Sequence, residues 1–147
     1  TINEQLRDSF YHNPRIEADN WEDAVRKAAE PLEDEGKIKA SYIDAIIDSV
    51  KTAGPYIVIT PHVALPHARP ETGALESAIG IATLKSPVAF GNADNDPVKY
   101  LFCLSAKDNN SHLGALADLA ELLENKEFFE LLDKTNDPKE VIDYLNH

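Results

Sequence analysis

The nine residues Val98-Lys99-Tyr100-Leu101-Phe102-Cys103-Leu104-Ser105-Ala106 are apolar at nearly every position. A strand with one wet face alternates apolar and polar side chains, whereas one that is apolar throughout is covered on both faces. The run is entered through Asn95-Asp96-Pro97, a turn-forming stretch, and so reads as a central strand that needs helices on each side of its sheet.

The flanking segments supply those helices. Asn3 to Phe10 is read as a short helix. Asn20 has the chemistry of an N-cap, Glu22 and Asp23 follow in the first turn, and Trp21, Ala24, Val25, Ala28, Ala29 and Leu32 recur at helical spacing. A second amphipathic helix opens near Ser41, places Tyr42, Ile43, Ile46, Ile47 and Val50 on one face, and stops before Gly54-Pro55. Further helices are expected from Ser111 or a neighbour to about Leu123, from Lys126 to about Leu132, and from Asp137-Pro138 onward. Tyr56–Ile59 and Ala78–Leu84 join Val98–Ala106 as β-branched or aromatic strands. Helices, then strands, then helices describe a layered α/β domain, and with no repeat or linker it is expected to be a single domain over 1–147.

Charge narrows the function. Against 14 basic residues stand 26 acidic ones, a formal net charge of −12, which disfavours nucleic acid and anionic membrane as partners. No apolar run approaches the roughly 20 residues that cross a bilayer, so no membrane insertion is expected. Cys103 is the one cysteine, which precludes an internal disulfide and fits a reducing, cytoplasmic compartment. Within its apolar strand Cys103 reads as a core residue.

Two segments carry polar groups that a core does not need. Thr60-Pro61-His62-Val63-Ala64-Leu65-Pro66-His67-Ala68-Arg69-Pro70 holds three prolines and reads as a stiff loop that presents His67 rigidly. Lys107-Asp108-Asn109-Asn110-Ser111-His112 leads from the central strand into a helix N-terminus, where backbone N–H groups attract anions. If Tyr56–Ile59 and Val98–Ala106 are parallel neighbours, His67 and His112 meet at one edge of the sheet. That pairing suits phosphoryl transfer: a neutral imidazole with a pKa near 6.5 is nucleophilic at cellular pH, and positioned donors stabilise the phosphoryl oxygens. His67 is the candidate nucleophile, His112 the candidate donor to phosphate and Arg69 the candidate for charge neutralisation. Val63 and Leu65, with Ala64, are expected to floor an apolar depression for partners, and Asn110 and Ser111 to line its phosphate side. No metal and no cofactor is required. His12 and His147 read as surface residues, and Asp94-Asn95-Asp96-Pro97 as a plain turn. The competing readings are a regulatory module switched by phosphorylation of His67 and a metallohydrolase built on His62, His67 and His112.

Val63-Ala64-Leu65-Pro66-His67-Ala68 resembles the phosphorylation-site motif of EIIA components of the bacterial phosphoenolpyruvate-dependent sugar phosphotransferase system, in the mannitol/fructose class. Gly54-Pro55-Tyr56, Asn95-Asp96-Pro97-Val98 and Ser111-His112 extend the resemblance over most of the chain. Pro66-His67-Ala68-Arg69-Pro70-Glu71 and Asp94-Asn95-Asp96-Pro97-Val98 are most similar to the L-ascorbate-type proteins. Thr60 departs from the motif, which has Gly or Ala there. The resemblance implies a mixed β-sheet sandwiched between helical layers. It also implies a cytoplasmic phosphocarrier in which His67 takes a phosphoryl group from HPr and gives it to a cysteine of EIIB, which serves the membrane EIIC. His112 falls at the family's second active-site histidine.

Overall fold

The computed structural model describes residues 10–145, without the side chains of Asn109 and His112. Among the described residues five strands form one mixed sheet in the order β1-β4-β5-β3-β2: β1 Phe10–Ile16, β2 Val58–Thr60, β3 Val63–Ala64, β4 Ala78–Val88 and β5 Val98–Ser105. β1 runs parallel to β4 and β3 parallel to β5, whereas β4–β5 and β2–β3 are antiparallel.

β5 lies in the middle, and its side chains alternate between two separate apolar cores. Leu101 and Cys103 join Ala24, Val25 and Leu32 of α1 (Trp21–Asp34) and Tyr42, Ile46 and Val50 of α2 (Ala40–Ala53). Phe102 and Leu104 join residues of α3 (Asn109–Leu122), α4 (Lys126–Lys134) and α5 (Pro138–Leu145). This is the doubly covered strand that the apolar run demands. Among the described residues no helix is long and apolar enough to cross a membrane.

The helix ends follow local chemistry. Asn20 Oδ1 accepts the Asp23 N–H at 2.9 Å and starts α1. α2 stops at Gly54, whose φ of 93° lies where side chains are disfavoured. α3 opens at Asn109, before Ser111, because the Asp108 carboxylate accepts the Ser111 N–H at 2.7 Å and is itself the cap.

Other expectations need correcting. Of the helix expected at Asn3–Phe10 only Phe10 is described, and it opens a strand. β1 carries His12, Asn13-Pro14 and Arg15, with Arg15 at φ 51°, so it lacks a legible strand period. His12 is not a surface residue but 6% exposed, because β4 covers one edge of β1 and α5 packs on it. His147 lies outside the described residues. The Thr60–Pro70 segment is not all loop: Val63–Ala64 is a strand, joined to β2 by a two-residue turn with His62 at φ 70°. That inserted strand, rather than Tyr56–Ile59, is the parallel neighbour of the central strand.

Asp94–Pro97 is more than a plain turn. The Asp96 carboxylate accepts the N–H groups of Phe90 and Gly91, both at 2.9 Å, and the Asn95 carbonyl accepts the His62 N–H at 2.9 Å. The turn thereby fixes the hairpin that leads into the candidate site.

Candidate functional site

His67 follows β3 at the carboxyl end of that strand, beside the carboxyl end of β5. Proline at 66 restricts its predecessor, and the Pro66 carbonyl accepts the Leu104 N–H at 2.9 Å, so the backbone before His67 is held against β5. One residue earlier, the Leu65 N–H donates to the Ile57 carbonyl at 2.7 Å.

The half-buried imidazole is oriented from within the same loop. Its Nδ1 lies 2.7 Å from the Leu65 carbonyl oxygen, which can only accept, so Nδ1 carries the proton and the lone pair resides on Nε2. Tyr56 meets the ring edge-on, with centroids 5.8 Å apart and planes at 88°. His67, Tyr56, Ser49, Ala68 and Arg69 line a cleft of about 240 Å³, in which Arg69 is exposed. The arrangement fixes the tautomer of an imidazole that lines the cleft.

The ends of the two polar segments share a second cleft that does not include His67. Pro70 and Glu71, just past His67, line this cleft of about 470 Å³ together with Lys107 and Asp108. His112 lies in the first turn of α3, but its side chain is outside the described residues. Asn110 is exposed, as expected of a surface position, whereas Ser111 is 8% exposed. The Ser111 N–H is committed to Asp108, and that bond holds the Asp108 carboxyl below the usual carboxylate range. A carboxylate thus already occupies the cap that the sequence offers to an anion.

Val63 and Leu65 do not floor a depression. As strand and strand-end residues they alternate with Ala64: Val63 and Leu65, 3% and 4% exposed, enter the core beneath α3–α5, and Ala64 enters the opposite one. Tyr56 lines the His67 cleft and Leu75 the second one, and both are exposed, as are Ile59 and Leu113 elsewhere on the surface. Tyr56 and Ser49 were not singled out from the sequence as site residues; the available signal was an aromatic ring directly after Gly54-Pro55.

His62 does not join His67. Its Nδ1 lies 2.7 Å from the Pro97 carbonyl, and its own carbonyl pairs with the Tyr100 N–H whereas Pro66 pairs with the Leu104 N–H, so His62 and His67 sit towards opposite ends of β5. One metal ion cannot bridge that gap, which removes the ligand set of the metallohydrolase reading. Among the described residues no cluster of His, Cys, Asp and Glu is arranged to hold a metal.

Comparison with known proteins defines the class. A family profile described as "Phosphoenolpyruvate-dependent sugar phosphotransferase system, EIIA 2" matches residues 10–147, so the chain belongs to that family and is a phosphotransferase-system EIIA component. The ascorbate-specific PTS system EIIA component of Escherichia coli (strain K12) is 36% identical, over 97% of this chain and 96% of its own. The corresponding component of Salmonella choleraesuis is 35% identical over the same shares. Among solved structures, the mannitol-specific cryptic phosphotransferase enzyme IIA CmtB of Escherichia coli superposes with a TM-score of 0.83 at 37% identity, covering 97% of this chain and 98% of that one. The Escherichia coli complex of enzyme IIAMTL with phosphorylated enzyme IIBMTL has the same fold, with a TM-score of 0.76 at 22% identity, over 99% and 96% of the two chains.

Proposed function

We propose that residues 1–147 act as one phosphocarrier domain in the cytoplasm, in which Nε2 of His67 accepts a phosphoryl group from phospho-HPr and passes it to a cysteine of EIIB. The observation that carries this reading is the 2.7 Å contact between His67 Nδ1 and the Leu65 carbonyl. A proton on Nδ1 in that contact supports Nε2 as the accepting nitrogen.

In the first step the P–N bond to the HPr histidine breaks as a P–N bond to Nε2 of His67 forms. Positive charge then develops on the His67 ring, and the Nδ1–H donated to a carbonyl oxygen stabilises it. In the second step the EIIB thiolate attacks phosphorus, an S–P bond forms, and His67 is released in its starting tautomer. Arg69 neutralises phosphoryl charge at the cleft, and His112 donates to a phosphoryl oxygen. Exposed Tyr56, Leu75 and Leu113, with Asn110 at the rim, meet each partner in turn, and the weak burial they offer suits a short-lived complex. The near-full-length likeness to ascorbate-specific EIIA components supports L-ascorbate as the substrate imported through the membrane EIIC.

Labelling with radioactive phosphoenolpyruvate, enzyme I and HPr tests the assignment. Wild type should acquire acid-labile phosphate, His67→Ala none, and His112→Ala a slower or less stable label. Labelling of His67→Ala at the wild-type rate would refute the site. Addition of an ascorbate-system EIIB should discharge the label; a label that persists would remove the transport role.

A further inference from the structure

The parallel register of β3 on β5 extends past the end of β3. Val63 stands opposite Tyr100 and Ala64 opposite Leu101, so the same offset puts His67 opposite Leu104. In a parallel ladder Leu104 would then donate its N–H to the Pro66 carbonyl and accept the Ala68 N–H on its own carbonyl. The first of these rungs is made, at 2.9 Å. The second is not direct. The Tyr42 hydroxyl stands in it, donating to the Leu104 carbonyl at 2.6 Å and accepting the Ala68 N–H at 3.1 Å.

We propose that Tyr42 is a positioning residue for phosphoryl transfer at His67, its hydroxyl being set into the β-ladder so as to hold the His67–Ala68 peptide off β5 at a fixed distance. This rests on His67 as the phosphoryl acceptor. A direct rung spans about 2.9 Å, and two bonds in series keep the strands farther apart. Pro66, which has no N–H, omits the preceding rung, so the chain leaves the sheet just where the histidine is carried.

Among the described residues, the Ala68 N–H meets no other hydrogen-bond acceptor. Tyr42 is 1% exposed, in the core between α2 and the sheet, and its bond to the Leu104 carbonyl is buried. Burial also raises the phenol pKa, which keeps the donated proton in place. Ser41, the preceding residue, donates to the Thr72 carbonyl at 2.7 Å, so the N-terminus of α2 grips the active loop on both sides of Arg69. Without the hydroxyl, Ala68 N–H and Leu104 C=O must either close on each other, which pulls His67 inward, or lose the partner that spaces them. In either case the ring loses its alignment with the Leu65 carbonyl.

Tyr42→Phe keeps the ring and its packing. It should fold, as judged by circular dichroism, yet accept phosphate from HPr about tenfold or more slowly, the scale set by misplaced reacting groups. The His67 ring nitrogens in its ¹⁵N spectrum should shift from one Nδ1–H tautomer to a mixture. A folded Tyr42→Phe with wild-type labelling rate and tautomer overturns the proposal. Absence of label on wild type overturns instead the reading it rests on. Should Tyr42→Phe not fold, the unsubstituted protein answers: a slowly exchanging Tyr42 hydroxyl proton with a nuclear Overhauser contact to the Ala68 amide is expected, and its absence refutes the bridge.

Discussion

A Cβ built on Gly80 would lie 2.6 Å from the carbonyl oxygen of Ala28, closer than any real contact of that kind. α1 therefore rests backbone-first on β4, in the layer that also carries the packing of α2. Gly80→Ala should force the two apart and lower unfolding stability by about 1–3 kcal/mol, the usual cost of overpacking. Urea denaturation followed by circular dichroism checks this. An unchanged midpoint would mean that α1 can tilt away freely.

His12 makes stability depend on pH. Among the described residues neither ring nitrogen meets a hydrogen-bond partner, and burial lowers the pKa from 6.5 to about 4. The unfolded chain therefore binds the proton more readily than the folded one between those values. The stability owed to neutral His12 is complete above pH 6.5 and is lost progressively as the pH falls towards 4. Between pH 7 and pH 5 the loss should be about 2 kcal/mol. His12→Leu should flatten this part of the profile, as measured by denaturant midpoints at a series of pH values.

The Asp96 carboxylate ties down two backbone N–H groups, those of Phe90 and Gly91. Asp96→Ala leaves both without their partner and should cost about 1.5–3 kcal/mol. Because Asn95 anchors His62 at the start of β3, amide hydrogen exchange in the β2–β3 hairpin should quicken as well. Exchange unchanged from wild type there would show the hairpin to be held without the turn.

Cys103 is fully buried, and burial pushes its thiol up to about 12. It should not react with a disulfide reagent at pH 8 while the chain is folded, and should react at once in denaturant. Rapid modification of the native protein would contradict the doubly covered β5.

What was legible in the sequence was period and punctuation. The apolar run through Leu101–Leu104 declared a strand covered on both faces, and the stripes from Ala24 and Tyr42 declared α1 and α2, because burial imposes those spacings directly. β1 escaped because Asn13-Pro14 and the left-handed Arg15 break its alternation. β3 escaped because two residues between prolines have no period at all. In the site, the Pro66-His67 motif singled out the histidine, but the choice of nitrogen depends on where the Leu65 carbonyl points, which only the folded loop determines. Tyr42 was read as core, and correctly so. A hydroxyl in a dry stripe must still find partners, and in principle that need was the signal of its second task.

The alternation along β5 has a consequence for how such a chain can diverge. Deleting one residue between Val98 and Ser105 would exchange the side chains that serve α1 and α2 with those that serve α3 to α5. It would also slide Leu104 away from Pro66, the contact that seats the histidine loop. Insertions and deletions are therefore excluded from this strand twice over, and length changes among relatives should collect in the connections around it.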